Sequence, residues 1–178
     1  PQASTPALSQ AGDYVFRNWP SDLLEGKAGA EFSLSQLRAR TAAILFITNQ
    51  YGQGVSKVFG ESFTAGGGQV VLSEGFNEGT TDFRTQISRI GGLKPDVVYL
   101  ASYLKEASRI LVQMRELGVE ARVLGPIGLM DPQLFELARN AADGLFVSAP
   151  LYDAKSPDAT ISRFVQTYRA RYGEEPNI

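Results

Sequence analysis

Two tyrosines, Tyr51 and Tyr103, are the first residues whose position suggests chemistry. Each follows an apolar run, at residues 41–48 and 95–101, that is typical of a strand buried on both faces. In an open α/β sheet, ligands bind beyond the carboxyl ends of the strands. A tyrosine there offers a small organic ligand an apolar ring and a hydroxyl. The alternative interpretation is that each ring only packs beside a helix end.

Two more candidates lie on the same kind of loop. Ile127 follows a short apolar run at residues 121–124, and Glu106 comes three residues after Tyr103. A carboxylate in the first turn of a helix interacts favourably with the helix dipole, which explains Glu106 without a ligand.

The composition excludes several classes of function. The 17 basic and 19 acidic residues give a net charge of −2, which argues against a nucleic acid or an anionic membrane as partner. The chain has no histidine and no cysteine, so the usual general base, a thiol nucleophile and a Cys/His zinc site are all missing. No two carboxylates can be placed together from the sequence. Any catalysis would have to rely on Asp, Glu, Lys, Tyr, Ser or Thr alone, and the sequence shows no acid/base constellation of these residues. We predict a protein that is not an enzyme and uses no cofactor and no metal.

Hydrophobic periodicity predicts strands alternating with helices and hence a parallel sheet with right-handed crossovers. If the strand order is 2-1-3-4-5, the loops after the first, third and fourth strands share one edge. The predicted class is a three-layer, doubly wound α/β fold. The predicted strands are residues 41–48, 69–76, 95–101, 121–124 and 144–149, and the predicted helices are residues 22–38, 55–65, 82–90, 104–117, 132–141 and a last one after Ser156.

Local signals predict which residues face the core and where helices begin and end. The predicted caps are Ser21, Thr80 or Thr81, Asp131 before Pro132, and Ser156, with Gly66 as the left-handed residue that ends a helix. The predicted buried faces are Leu24, Ala28, Phe32 and Leu37 for the first helix; Val55, Val58, Phe59 and Phe63 for the second; Ala107, Ile110, Leu111, Met114 and Leu117 for the fourth; and Ile161, Phe164, Val165, Tyr168 and Tyr172 for the last.

The glycines of the loop predicted at residues 49–54 admit a dinucleotide interpretation, because glycines at a strand-to-helix turn let backbone amides approach phosphate. The third glycine of that motif is missing at the required offset, since Gly60 lies too far along the chain. Gly52 and Gly54 are better explained as providing a turn and room.

Several motifs in one order resemble the periplasmic leucine/isoleucine/valine-binding protein family. The resemblance covers essentially the whole chain and rests on STPALSQAGDYVFR from Ser4, NQYGQG from Asn49, FNEGTTDF from Phe76, KPDVVYLASY from Lys94, LGVEARVLGP from Leu117 and RYGEEP from Arg171.

The resemblance implies a type I periplasmic binding fold, in which two α/β lobes close over a ligand. Residues 1–20 would be the tail of the first lobe and a crossover, residues 21–150 the second lobe, and residues 151–178 a helix leading back toward the first lobe. The function implied is the extracytoplasmic solute-binding component of an ABC importer, located in the periplasm. Its partners would be a small-molecule ligand, an amino acid or organic acid, and a permease, and a single lobe can also self-associate through its exposed half-cleft.

The resemblance also assigns site residues. Tyr51 and Tyr103 match cleft tyrosines, and Gln2, Ala3, Ser4 and Thr5 match a segment that holds a ligand carboxylate, with Ser4 supplying the hydroxyl. Ile127 falls where amino-acid binders usually carry Glu or Asp for the ligand ammonium. A buried ammonium without an anionic partner is costly, so Ile127 favours an amine-free acid, unless Glu106 supplies the missing charge.

Two other classes of function remain open at this stage. The same fold serves as a ligand-sensing domain in receptors and regulators. A flavodoxin-like or nucleotide-dependent enzyme would require phosphate-binding glycines or a catalytic group at the strand ends, and neither is visible in the sequence.

Overall fold

A computed structural model describes residues 4–17, 19–149 and 152–176. Strands and helices alternate along the chain, as the periodicity predicted. The strands are β1 (Thr41–Ile47), β2 (Gln69–Phe76), β3 (Val97–Ala101), β4 (Arg122–Gly125) and β5 (Phe146–Val147). The helices are α1 (Asp22–Ser35), α2 (Gln50–Ala65), α3 (Arg84–Leu93), α4 (Leu104–Glu116), α5 (Pro132–Ala138) and α6 (Ala159–Tyr172), and short 3-10 helices span Pro6–Gln10, Ile127–Leu129 and Arg139–Ala142.

The five strands form one parallel sheet in the order β2-β1-β3-β4-β5, which confirms the predicted fold class and strand order. β3 is buried along its whole length, and β1 is buried except at Thr41 and Phe46, as expected for central strands covered on both faces. One apolar core lies between the sheet and α3, α4 and α5, and the other lies between the sheet and α1 and α2. The fold therefore has three layers.

The buried face of α1 differs from the prediction. Leu24 is 65% exposed and Ala28 is also exposed, whereas the buried residues of the helix are the small ones, Gly26, Gly29, Ala30 and Ser33, together with Asp22. A Cβ on Gly26 would lie 2.8 Å from the Val55 carbonyl oxygen and 2.9 Å from the Phe59 nitrogen. Since α1 packs backbone to backbone on α2, small residues mark its inner face and leucines do not.

The far end of α1 is closer to the prediction. The helix stops at Ser35 and not at Arg38, but Leu37 is buried just beyond it. Phe32 is half-buried and its ring lies 5.3 Å from that of Phe146. Ser21 caps the start of the helix as predicted, with its hydroxyl accepting from the Leu23 amide.

Helix α2 begins earlier than predicted, at Gln50, so the segment expected to be a glycine loop is its first turn. Asn49 caps this turn by accepting a hydrogen bond from the Gly52 amide at 2.8 Å. At the other end Gly66 has a φ of −82°, and it is Gly67, at +90°, that adopts the positive φ predicted for Gly66. The predicted inner face holds for Val55, Phe59 and Phe63, which are fully buried, and Val58 is half-buried.

Three other helix ends also differ. Helix α3 begins at Arg84, and neither Thr80 nor Thr81 caps it; the Thr80 hydroxyl donates to the Asn77 carbonyl instead. The helix also continues past Ile90 through Gly91 and Gly92, and it ends at Lys94, which has a left-handed backbone conformation. Asp158, not Ser156, caps α6. The Asp131–Pro132 start of α5 is confirmed, with the Asp131 carboxylate accepting from the Gln133 amide.

The last helix carries an aromatic face that is mostly outside the core. Of the five residues predicted to be buried, only Val165 is; Phe164 and Tyr172 are exposed, and Ile161 and Tyr168 are half-buried. The rings form a row instead, with Phe164 and Tyr168 5.9 Å apart and Tyr168 and Tyr172 4.6 Å apart. In α4 the predicted face is buried except for Leu117, which lies beyond the helix and is exposed.

In the part of the chain that the structure describes, no helix is both long and apolar enough to cross a bilayer.

A glycine at the backbone contact between α1 and α2 and a glycine elsewhere with open space around it should respond in opposite ways to substitution by alanine. We expect Gly26→Ala to lower the free energy of unfolding by about 1–3 kcal/mol, because its methyl group meets backbone atoms that cannot move aside. Gly92→Ala in α3 is the matched control, since nothing lies within 4 Å of its Cβ position and alanine stabilises a helix by about 0.5–1 kcal/mol over glycine. Urea denaturation measures both, and a Gly26→Ala protein as stable as the wild type would contradict the packing.

Candidate functional site

The carboxyl ends of the adjacent strands β1, β3 and β4 bring three of the predicted site residues to one edge of the sheet. Tyr51 lies in the first turn of α2, Tyr103 is the residue before α4, and Ile127 opens the 3-10 helix that follows β4. The rings of Tyr51 and Tyr103 stack with centroids 5.5 Å apart and planes 14° from parallel. The strand order thus places the two tyrosines side by side, as the sequence predicted.

The close approach of Gly52, the residue after Tyr51, to the end of β1 positions Tyr51 at this edge of the sheet. A Cβ on Gly52 would lie 2.1 Å from the Ile47 carbonyl oxygen, so only glycine allows α2 to start this close to the end of β1. Asn49, which caps α2, also donates from its amide nitrogen to the Tyr103 hydroxyl at 3.5 Å, a long hydrogen bond. The Gly52 contact agrees with the interpretation of this glycine as a provider of room.

The two tyrosines differ in exposure. Tyr51 is half-buried, and its hydroxyl accepts a long hydrogen bond, 3.4 Å, from the Gly128 amide. Burial and the charge of Glu25 raise the pKa of Tyr51 above its ordinary range, so the hydroxyl stays protonated at neutral pH. Tyr103 is 41% exposed. The pair provides an apolar surface with one sheltered hydroxyl.

The structure adds a carboxylate that the sequence analysis missed. Glu25 of α1 reaches the loop after β4, where its Oε1 accepts a 2.5 Å hydrogen bond from the Ile127 amide. Burial, reinforced by the neighbouring charge of Asp22, raises the pKa of Glu25 to about 7, against the opposing effect of the Ile127 amide. At neutral pH this group is therefore shared between its charged and uncharged forms.

Asp22, one turn before Glu25, is more deeply buried. Only 1% of its surface is exposed, and neither carboxylate oxygen accepts a well-formed hydrogen bond from a described residue. Burial raises the pKa of Asp22, and the nearby Ser4 hydroxyl and Arg17 charge oppose that rise without reversing it. The hydroxyl of Tyr99, on β3, is also buried without a partner among the described residues, and burial together with the charges of Glu25 and Asp22 raises its pKa.

The spacing of the two acids was a signal in the sequence. Asp22 and Glu25 are three residues apart at the start of a helix, so their side chains lie on one face. The sequence predicted that Leu24 and Ala28 would mark the inner face of α1. Small residues and Asp22 are buried there instead, and Glu25 lies beside them.

The predicted carboxylate-holding segment is only partly visible. Ser4 is buried against α1, its carbonyl accepting from the Asp22 amide at 3.0 Å, and Arg17 donates to the Thr5 carbonyl at 3.0 Å. Ser4 and Thr5 therefore lie next to the acid pair. Gln2 and Ala3 lie outside the described residues.

Glu106 is not directed at Ile127. Its side chain is buried, and its Oε1 accepts a 2.9 Å hydrogen bond from the Gly79 amide in the loop after β2. The acid in contact with Ile127 is thus Glu25.

A cavity of about 220 Å³ opens beside Glu25 and Ile127. Apolar groups supply most of its wall, and Glu25 is the one charged residue among the described residues that line it. Besides Glu25 and Ile127, its principal lining residues are Trp19, Leu24, Ala28 and Ala149.

Within residues 4–17, 19–149 and 152–176, no three acidic side chains are placed to hold a metal ion.

Comparison with known proteins identifies relatives of one kind. A sequence model of the family described as periplasmic binding protein matches residues 2–178. The Leu/Ile/Val/Thr-binding protein of Salmonella typhimurium is 31% identical over 151 residues, which are 84% of this chain and 41% of that protein. The Leu/Ile/Val-binding protein of Escherichia coli K12 is 30% identical over the same shares. The chain therefore spans less than half the length of these relatives.

Solved structures agree with the sequence matches. A leucine-binding protein from Thermotoga maritima is 30% identical with a TM-score of 0.86, over 97% of this chain and 49% of that one. A branched-chain amino acid transporter substrate-binding protein from Streptococcus pneumoniae, in complex with isoleucine, is 26% identical with a TM-score of 0.81, over 98% of this chain and 50% of that one. These matches agree with the prediction of a binding protein rather than an enzyme.

The raised pKa of Glu25 predicts a pH-dependent cost to stability. A carboxyl whose pKa is about 7 when folded and about 4.3 when unfolded holds more protons in the folded state, so the wild type loses stability as the pH rises from about 4.3 through 7. Glu25→Gln lacks this titration. We therefore expect the free energy of unfolding of Glu25→Gln, measured relative to wild type, to be larger at pH 8 than at pH 5 by about 1–3 kcal/mol, so that the variant is relatively more stable at the higher pH.

Urea denaturation at the two pH values measures this difference. Glu31→Gln, on the exposed side of the same helix, controls for the change in net charge. A relative stability of Glu25→Gln that does not change with pH would show that Glu25 has an ordinary pKa.

Proposed function

The chain belongs to the periplasmic binding protein family, and from this premise we propose that it is one ligand-binding lobe of an extracytoplasmic solute-binding protein. Its ligand is a branched-chain amino acid or a related small metabolite with a carboxylate and an apolar body. The protein is non-catalytic and delivers this ligand to the permease of an ABC importer.

The observation that carries this proposal is the stacked pair Tyr51–Tyr103 at the carboxyl edge of a parallel sheet. This edge is where open α/β sheets bind ligands. The pair adjoins the Ile127 loop, since the Tyr51 hydroxyl bonds to the Gly128 amide. An apolar ring surface beside a few fixed polar groups suits a small molecule with one apolar end.

We propose the same division of the chain that the sequence suggested. Residues 21–150 form the lobe, residues 1–20 belong to the other lobe and a crossover, and residues 151–178 lead back toward it. The exposed aromatic residues support this, since Phe16 is 88% exposed and Phe164 is 50% exposed, and a second lobe would cover such surfaces. An isolated lobe would self-associate through them.

In the closed protein, Ser4, Thr5, Ala3 and Gln2 hold the ligand carboxylate. The location of Ser4 supports this role, because it is docked against the start of α1 on the side that carries Asp22. Tyr51 and Tyr103 cover the apolar body of the ligand. Glu106, bonded to Gly79, supports the loop after β2 from the edge of the site.

Ligand binding by the full-length protein tests this function. A ligand at about 100 times its dissociation constant should stabilise the folded protein by about 2.7 kcal/mol, which a thermal-shift measurement detects easily. We expect at least one compound to do so among leucine, isoleucine, valine, phenylalanine and their amine-free counterparts. If neither series shifts the midpoint, the proposed ligand class is wrong.

Substitutions at Tyr103 then test the site. Tyr103→Ala removes the exposed ring of the stack and should weaken binding roughly tenfold or more, whereas Tyr103→Phe keeps the ring and should bind nearly as well as wild type. Isothermal titration calorimetry measures both. Equal affinities for wild type and Tyr103→Ala would place the ligand elsewhere.

A further inference from the structure

The acid that faces Ile127 comes from a different element of the fold. Ile127 itself offers no charge, but its backbone amide holds the Glu25 carboxylate by a 2.5 Å hydrogen bond, across 102 residues of sequence. This bond holds the Glu25 carboxylate against the start of the loop that follows β4. The charge missing from the side chain at position 127 is thus present beside it.

The second oxygen of Glu25 is available to a ligand. Oε1 is engaged by the Ile127 amide, and no described residue donates a hydrogen bond to Oε2. Glu25 also lines the 220 Å³ cavity, whose other lining residues are uncharged. A group entering this cavity would meet a mostly apolar wall, with Ser148 as the other polar residue that lines it, and the Glu25 carboxylate.

Among the described residues, no cation lowers the pKa of Glu25. Asp22 lies one turn away on α1, and the hydroxyls of Tyr51 from α2 and Tyr99 from β3 face it with raised pKa values. Arg17, whose charge acts on Asp22, donates to the Ser4 and Thr5 carbonyls and to the Ser9 hydroxyl.

The buried carboxylate of Asp22 adds to the negative charge near Glu25. Both of its oxygens are inaccessible to solvent and accept no well-formed hydrogen bond from a described residue. Two acids and two tyrosine hydroxyls therefore lie close together, and the charge of Arg17 offsets the pKa rise of Asp22 only in part. A cationic group of the ligand placed at Glu25 would relieve this arrangement, whereas a carboxylate at the same place would be repelled.

We propose that Glu25 is the residue that selects the charge of the ligand: its carboxylate, oriented by the Ile127 amide, pairs with a ligand ammonium group. This inference rests on the proposed function and narrows its ligand class to amino acids with apolar side chains. It reverses the expectation from the sequence that Ile127 favours an amine-free acid. Ile127 itself becomes part of the apolar wall.

The test compares ligands that differ only in the amine. Full-length protein is titrated with L-leucine and with isocaproate, its amine-free counterpart, and with L-phenylalanine and phenylpropanoate. We expect the wild type to prefer each amino acid by roughly 100-fold or more, because removing one member of a sheltered ion pair leaves the other uncompensated. In Glu25→Gln this preference should fall below about tenfold. Glu31→Gln, exposed on the same helix, should keep the wild-type preference.

Each outcome of the ligand comparison has a separate meaning. Binding of amine-free acids but not amino acids by the wild type would overturn the role of Glu25 and leave the binding function standing. Equal selectivity in wild type and Glu25→Gln would do the same. If the wild type binds neither series, the proposed function itself fails. The selectivity of the wild type keeps the test decisive even if Glu25→Gln does not fold.

The pH dependence of binding supplies a second readout. An ammonium ligand needs the charged form of Glu25, so the affinity for L-leucine should fall by up to about tenfold for each pH unit below 7, and Glu25→Gln should show no such slope between pH 5 and 8. The same slope in Glu25→Gln would assign the titration to another group, such as the neighbouring acid Asp22, and would overturn the proposal.

Discussion

The site depends on the close contact between α1 and α2. The two helices meet backbone to backbone at Gly26, where a Cβ would lie 2.8 Å from both the Val55 carbonyl oxygen and the Val58 Cβ. Gly29 lies equally low over the sheet, with its Cβ position 3.1 Å from the Tyr99 ring. Because α1 sits this deep, the first turn of the helix reaches the carboxyl edge of the sheet. Larger residues at these two positions would lift the helix and move Glu25 away from the loop after β4.

This packing has an electrostatic consequence. The same helix face that carries the glycines carries Asp22 and Glu25, so packing α1 against the sheet also removes two carboxyl groups from water. Burial raises the pKa of both acids, which means that folding disfavours their charged forms. Only the Ile127 amide and the vicinity of Ser4 and Arg17 offset this cost. Groups held at such a cost are characteristic of functional sites.

Two kinds of recognition meet at this edge of the sheet. The stacked rings of Tyr51 and Tyr103 offer apolar contact without any preference for charge. Glu25, bonded to the Ile127 amide, offers a carboxylate in a mostly apolar cavity. One turn of backbone connects them, since the Gly128 amide donates to Tyr51 and the Ile127 amide donates to Glu25. In the proposed site, the residues that contact the apolar body of a ligand and the residue that pairs with its charge are therefore linked through adjacent backbone amides of one loop.

Local patterns in the sequence were enough to predict the alternation of strands and helices and the edge at which Tyr51, Tyr103 and Ile127 meet. A short uncharged run rich in apolar residues, such as Thr41–Ile47, is typical of a strand buried on both faces, and parallel strands align their carboxyl ends. The caps at Ser21 and Asp131 were predicted for the same reason, since a capping side chain acts within three residues. The inner face of α1 was predicted wrongly, because hydrophobicity marks a helix that packs through its side chains and this one packs through its backbone.

The sequence by itself determined the alternation of strands and helices, which rests on periodicity, and the family resemblance, which rests on motifs in a fixed order. Periodicity does not encode the strand order, which was a prediction that the structure confirmed. The tertiary structure decided which acid faces Ile127. The sequence offered Glu106, which is close to Tyr103 along the chain, but Glu106 is bonded to Gly79 in the loop after β2. Glu25 meets Ile127 across 102 residues. That contact exists only because glycine lets α1 lie close enough to the sheet, a matter of packing distance that no local pattern encodes.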